Sequence, residues 1–164
     1  MSSSANPVFG WHAMFVRVMN RLQSAFLLVI RVYFGWQFAL TGWGKLHNIS
    51  GVTEFFTSLG IPAPHLNAVF VAGFEFFGGI LLALGLLSRI TALGIVIDMT
   101  VAYLTADRDS LMTLFSSDPT KFFAAAPFTF WFVGLIVLIF GPGKYALDTL
   151  LARRSREHLD GVTS

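Results

Sequence analysis

The sequence predicts an all-α integral membrane fold, a four-helix bundle with a re-entrant or interfacial segment between helices 1 and 2. Three observations lead there. Of 164 residues, 55% are hydrophobic and only 12% charged, and the mean hydropathy is +0.70; soluble domains carry about 25% charged residues. A window of about 20 residues, the length a helix needs to cross the hydrocarbon core, finds four apolar segments. None of them alternates strictly, and lipid admits only helices or closed barrels, because each backbone polar group must be bonded within the protein.

The elements follow in order. Residues 1–23 form a segment ahead of the first span, with no signal-peptide character, because the basic residues follow the apolar part. The first span covers about 24–44, SAFLLVIRVYFGWQFALTGWG. Segment 45–65 is polar and aromatic; GIPAP ends any helix, and VTEFFTSLG before it suits a short interfacial or re-entrant helix. The second and third spans, about 66–87 and 90–106, are joined by little more than Ser88-Arg89 and so form an antiparallel hairpin. A polar loop, 107–121, leads to the fourth span at about 123–141, and a basic tail occupies 149–164. The three units are thus 1–23, a transmembrane domain 24–148, and the tail.

Charge sets the orientation. With both termini on one side, that side carries Arg17, Arg21, Arg89, Lys144, Arg153, Arg154 and Arg156, against Lys45, Arg108 and Lys121 opposite. The excess of basic residues predicts that both termini are cytoplasmic. Basic residues at helix ends report topology, and no nucleic-acid partner is expected.

Three ionisable residues fall within the spans: Arg31, Glu75 and Asp98. A charge near mid-bilayer costs about 2.5–3.5 kcal/mol on insertion scales, so each calls for a partner or a purpose. Counting 1.5 Å per residue puts all three in the inner half of the bundle. Arg31, Gly35, Phe38, Gly42 and Lys45 share one stripe of the first span, whose glycines admit a close neighbour. Glu75 shares a face with Gly78 and Gly79, and Asp98 lies on a small-residue face of the third span. The three are therefore expected to meet. One reading is a structural ion pair holding the bundle in register, which is weak evidence of stability because desolvation offsets the Coulomb gain. The other starts from one arginine facing two carboxylates, which leaves a carboxyl free to give or take a proton.

Other chemistry is thinly represented. There is no cysteine, which excludes disulfides, Cys-ligated metals and a CxxC relay. The four histidines lack HxxxH or ExxH spacing, so no metal or haem site is expected. Walker, dinucleotide-binding and serine-nucleophile motifs are absent. Lys45, Tyr33 and Gln37 along the first span are the candidate cofactor-binding residues, although aromatic side chains at helical spacing more often pack or anchor at the interface.

The pattern R-x3-G-x2-F-x3-G-x2-K-L, from Arg31 to Leu46, resembles the opening helix of the DoxX family. FFTSLGIPAP, then Glu75, Gly78 and Gly79 running into LLALGLLSRITALG, and GPGKYALD at 141–148 continue it in the family's order. The resemblance implies a four-helix protein of the bacterial cytoplasmic (inner) membrane with a loose link to quinone-coupled redox chemistry. It carries Arg31, Lys45, Glu75, Arg89 and Asp148 over as motif positions; Asp98 is singled out by its position in the span.

The leading expectation is a subunit of a quinone-linked membrane oxidoreductase system, with Arg31, Glu75 and Asp98 as a proton or ligand site. No electron carrier is evident in the chain, so quinone or an external partner has to bring the electrons. A non-catalytic scaffold or anchor for a partner protein is the alternative, and a small-molecule or lipid transporter is a second. In each case the bilayer is one partner, and a protein partner or a homo-oligomer is expected.

Overall fold

The computed structural model describes residues 7–162, and among them every regular element is helical. The first six residues of the expected N-terminal segment and the last two of the tail lie outside the described residues.

Helix α1 runs from Pro7 to Leu46 without a break. The first span was expected to begin near residue 24, but no proline interrupts the preceding segment and the helix simply continues through it. At 1.5 Å per residue its 40 residues reach about 60 Å, twice a hydrocarbon core. Packing starts where the span was expected: residues 11–23 are all exposed, whereas Ser24, Leu27, Arg31, Gly35, Phe38 and Gly42 form a buried stripe at helical spacing.

Helix α2, Ile49–Ser58, fills the expected short helix. Asn48 caps it by accepting a hydrogen bond from the Gly51 amide. Gly60, at φ +71°, stops it. Helix α3, Pro64–Leu84, has proline in its first turn and ends on Gly85 at φ +70°; the amides of Gly85 and Leu86 return to carbonyls of the last turn. Helix α4, Ser88–Thr105, follows at once.

The loop expected at 107–121 contains helix α5, Arg108–Met112, and a single 3-10 turn at Thr113–Phe115. The fourth apolar segment is divided into α6, Thr120–Ala124, and α7, Ala126–Phe140. The division has a local cause: Pro127 sits in the first turn of α7, and Ala125 ahead of it is extended at ψ 141°. Helix α8, Leu147–Val162, carries the basic tail.

Among the described residues, three helices are long and apolar enough to cross a membrane: α1 from Trp11, α3 and α4. Helix α7 is apolar but has 15 residues, about 22 Å. Large apolar side chains such as Val29, Trp36, Phe70, Phe77, Ile90 and Ile97 stand on the outside, as contact with a bilayer requires.

Helix α1 packs chiefly on α3 and α4 chiefly on α7, and the two pairs meet at α3–α4 and α1–α7. The core between them is Phe38, Leu82, Ala92, Ile95, Met99 and Val137, with Phe74 and Phe130 against it. Tyr103 donates a hydrogen bond to the Phe122 carbonyl at 2.8 Å and ties α4 to α6. The α1–α3 contact is backbone on backbone. A Cβ on Gly42 would lie 2.2 Å from the Phe76 nitrogen, and one on Gly79 would lie 2.4 Å from the Ala39 nitrogen. Such contacts suit small residues, since lipid supplies no hydrophobic drive between helices.

Gly42→Ala is therefore expected to destabilise the protein by at least about 1–3 kcal/mol through overpacking against backbone. Gly44, with nothing within 4 Å of its would-be Cβ, should accept alanine without loss. Thermal unfolding of the two variants in detergent checks the contrast.

Candidate functional site

The three intramembrane charges do not meet. The α1–α3 contacts place Gly35 beside Gly79 and Ala83, and Gly42 beside Ala72 and Phe76. Arg31 is therefore level with Leu82–Gly85, seven to ten residues or about 10–15 Å along α3 from Glu75. The expected Arg31–Glu75–Asp98 cluster is corrected by this register. Depths counted from the edge of the apolar run misplaced Arg31, because α1 continues far below the bundle and the run has no physical edge at residue 24.

Two separate polar sites result, one at each end of the bundle. At the α3–α4 turn, Arg31 is fully buried. Its guanidinium donates to the Tyr145 carbonyl at 3.1 Å and more weakly to the Leu82 carbonyl at 3.5 Å. Gly85 is required beside it, since a Cβ there would fall 1.8 Å from a guanidinium nitrogen. Asp148 accepts hydrogen bonds from the amides of Leu87 and Ser88, 2.8 Å each, and so caps α4 from a distant part of the chain. Its own amide donates to the Gly85 carbonyl at 2.9 Å. Partial burial raises the Asp148 pKa, but the Ser88 and Leu87 donors and the Arg31 charge outweigh it and hold the carboxyl below the usual aspartate value. These bonds fix the turn, in which Leu87 has the left-handed φ of +50°.

The other site lies at the opposite end. Lys45, in the last turn of α1, pairs with Glu75 of α3, Nζ to Oε1 at 2.5 Å. It is the one ion pair found among the described residues. Glu75 is 2% exposed, and a buried carboxylate needs such a partner. Asp98 of α4 lies within electrostatic reach of both. Lys45, Glu75 and Asp98 stand on the wall of a cavity of about 610 Å³, within the range of about 300–1,000 Å³ usual for ligand pockets. Its other walls are largely apolar, with Phe38, Phe56, Leu59, Met99 and Phe130 among them. Helix α2 forms one side through Phe55 and Phe56. Glu75 Oε2 and Asp98 Oδ2 are buried without a hydrogen-bond partner.

Tyr33 and Gln37 stand apart. Tyr33 is 56% exposed on the outer surface, Gln37 donates a long 3.4 Å hydrogen bond to its hydroxyl, and neither lines the cavity. No group of three or more metal-ligating side chains occurs among the described residues. The pairing of Lys45 with Glu75 was not foreseen, although its signal was present: Lys45 continues the glycine stripe three residues after Gly42. The aromatic wall contributed by α2 had no comparable signal, because it depends on how residues 59–63 turn.

Comparison with known proteins fits this picture. The DoxX family model matches residues 26–108, from just before Arg31 to just past Asp107, and the cavity-lining Ala126, Pro127 and Phe130 lie beyond it. The chain is 27% identical over 136 residues to "Inner membrane protein YqjF" of Escherichia coli (strain K12), covering 83% of this chain and 99% of that protein. It is 29% identical over 126 residues to "Putative oxidoreductase CatD" of Bacillus subtilis (strain 168), covering 68% of this chain and 92% of that protein. No solved structure matches the chain.

A double-mutant cycle separates the two charge sites. Arg31→Leu and Asp148→Asn should be non-additive in thermal unfolding, with a coupling of about 0.5–3 kcal/mol. Arg31→Leu and Glu75→Gln should add within about 0.5 kcal/mol. Coupling of Arg31 to Glu75 instead would refute the register described above.

Proposed function

The chain belongs to the DoxX family, and from that membership we propose that it is an inner-membrane subunit of a quinone-linked oxidoreductase system, with its ligand site in the Lys45–Glu75–Asp98 cavity. The observation that carries this reading is a buried, ion-paired carboxylate on the wall of an otherwise apolar cavity of ligand size. The printed names of the two relatives, one an inner membrane protein and the other a putative oxidoreductase, agree with it.

In this reading α1, α3, α4 and the α6–α7 segment form a four-helix membrane domain, 24–148, and the tail 149–164 is cytoplasmic with the N-terminus. Residues 120–140 together supply the length that α7 lacks. Helix α2, which has no fully buried residue, lies at the outer interface over the cavity. Arg31 belongs to the turn at the cytoplasmic end and keeps the helices in register.

The cavity residues fit a quinone. Phe38, Phe56, Met99 and Phe130 seat an apolar ring and tail, Lys45 positions a ring oxygen, and two buried carboxyl groups stand beside it. A bound quinone would supply the electron- and proton-accepting chemistry that the side chains of this cysteine-free chain lack. The chain's own part is to exclude water with α2, to orient the ring with Lys45, and to hold protons at Glu75 Oε2 and Asp98 Oδ2. A scaffold role is the second reading, favoured by the exposed stretch 11–23 of α1 and the exposed Leu150 and Leu151 of α8.

Protein purified in mild detergent should retain quinone, and Lys45→Met or Glu75→Gln should lower its content at least fivefold. Gln37→Ala, outside the cavity, should leave it unchanged. A folded wild-type protein without quinone, co-purifying with a stoichiometric partner, would replace this reading with the scaffold.

A further inference from the structure

We propose that two copies of this chain join in parallel through one face of α1, which carries an apolar seam beyond the end of the membrane bundle. The proposal is independent of what the cavity binds. It assigns the exposed stretch 11–23 to a second copy of the chain rather than to a foreign partner.

Helix α1 has two faces. Ser24, Leu27, Arg31 and Phe38 are buried in the bundle. On the opposite face Phe15, Leu22, Val29 and Trp36 recur every seven residues, and Trp11, Val18, Ala25 and Val32 each precede one of them by four. All eight are exposed. Apolar residues at this 3.5-residue repeat, held for four heptads, are the pattern of a two-stranded coiled coil.

Within the span such a stripe suits lipid equally well, so its first half decides. Arg31 is level with Leu82–Gly85 at the end of α3, and the 21 residues of α3 are enough to fill the hydrocarbon core. Leu22 and Trp11 lie about 14 and 30 Å beyond that level along α1. No glycine or proline occurs between Trp11 and Phe34, so the usual causes of a kink are absent, and the helix is unbroken there. It therefore carries Trp11, Met14, Phe15, Val18, Met19 and Leu22 past the lipid, each 40–75% exposed. A contiguous apolar strip in water marks an interaction surface. Arg17 and Asn20 of the same stretch fall on the bundle's side of the helix.

The occupant has to lie along both halves of the stripe. A soluble partner covers only the half in water, whereas a second copy shares the membrane orientation and covers both. The charges permit it. In a parallel pair the positions flanking the seam set Met14 against Met19 of the second copy and Arg21 against Phe26, so no like charges meet. Aromatic side chains such as Trp11, Phe15 and Trp36 bury about 150–250 Å² each. With the aliphatic positions, two seams reach the about 1,200–2,000 Å² of a specific interface. Lipid supplies no hydrophobic drive between the spans, so the half in water provides it.

The chain has no cysteine of its own, which makes single-cysteine cross-linking a clean test. Full-length variants are oxidised in native membranes and read on non-reducing gels, and the wild-type protein is weighed by light scattering in mild detergent. Phe15→Cys, Val18→Cys and Leu22→Cys should give a covalent homodimer, and Arg17→Cys and Asn20→Cys about fivefold less. Wild type should be dimeric, and Phe15→Glu combined with Leu22→Glu should make it monomeric with its thermal unfolding retained, because neither side chain packs on the bundle. Cross-linking without the heptad rhythm, cross-links to a different protein, or a monomeric wild type would overturn the proposal. A spin label on Val18→Cys that reports immersion in lipid would also overturn it and assign the stretch to the membrane surface. The wild-type mass and the cross-linking pattern decide the matter even if the glutamate variant fails to fold.

Discussion

Everything in this structure depends on how closely α1 and α3 approach. Gly35, Gly42 and Gly79 leave no room for a Cβ, so two backbones touch along three helical turns. Contact at that distance fixes the register of one helix on the other to within a residue. The register then decides which charges become neighbours. It sends Arg31 to the carbonyls at the α3–α4 turn and brings Lys45 within reach of Glu75, two turns further along. Without it the polar residues of these spans would have no defined partners.

The two polar sites differ in what surrounds them. At the turn, the bonds that form run to backbone: a buried guanidinium meets main-chain carbonyls and Asp148 meets main-chain amides, while Arg31 Nε and Ser88 Oγ have no partner. Bonds to backbone hold chain segments together and leave little to offer a ligand. At the cavity end the groups are side chains, Lys45 paired with Glu75 and Asp98 near them, on the wall of an apolar volume. A few polar side chains converging on an apolar volume are what a small-molecule site requires. In the proposed reading, the chain uses one intramembrane charge for architecture and keeps a second group for chemistry.

Much of the fold was legible in the sequence. The apolar runs marked the helices, Ser88-Arg89 marked the hairpin, and the stripe from Arg31 to Lys45 marked the packing face of α1. The helix in segment 45–65 followed from VTEFFTSLG ending at GIPAP. What could not be read was position along the bundle axis. Composition shows where an apolar run stops but not where packing stops, and α1 runs on past its packed region. That ambiguity drew Arg31 towards Glu75 and concealed the Lys45 pair. Pro127 gave a readable break, yet the apolar run around it outweighed the break when the fourth span was drawn. Of the candidate residues, Glu75, Asp98 and Lys45 line one cavity; Arg31, Tyr33 and Gln37 lie elsewhere for reasons of register and helix face.

The central claim is that the ligand sits in the cavity walled by α2, α3 and α4. The most direct measurement is photolabelling in detergent with an azido-quinone, followed by mapping of the modified residues by mass spectrometry. The account predicts labelling confined to the segments that line the cavity, within 38–45, 55–62, 67–75, 98–107 and 126–130, abolished by excess decyl-benzoquinone. Label spread over the outward faces of α1 and α3, and indifferent to competitor, would contradict it.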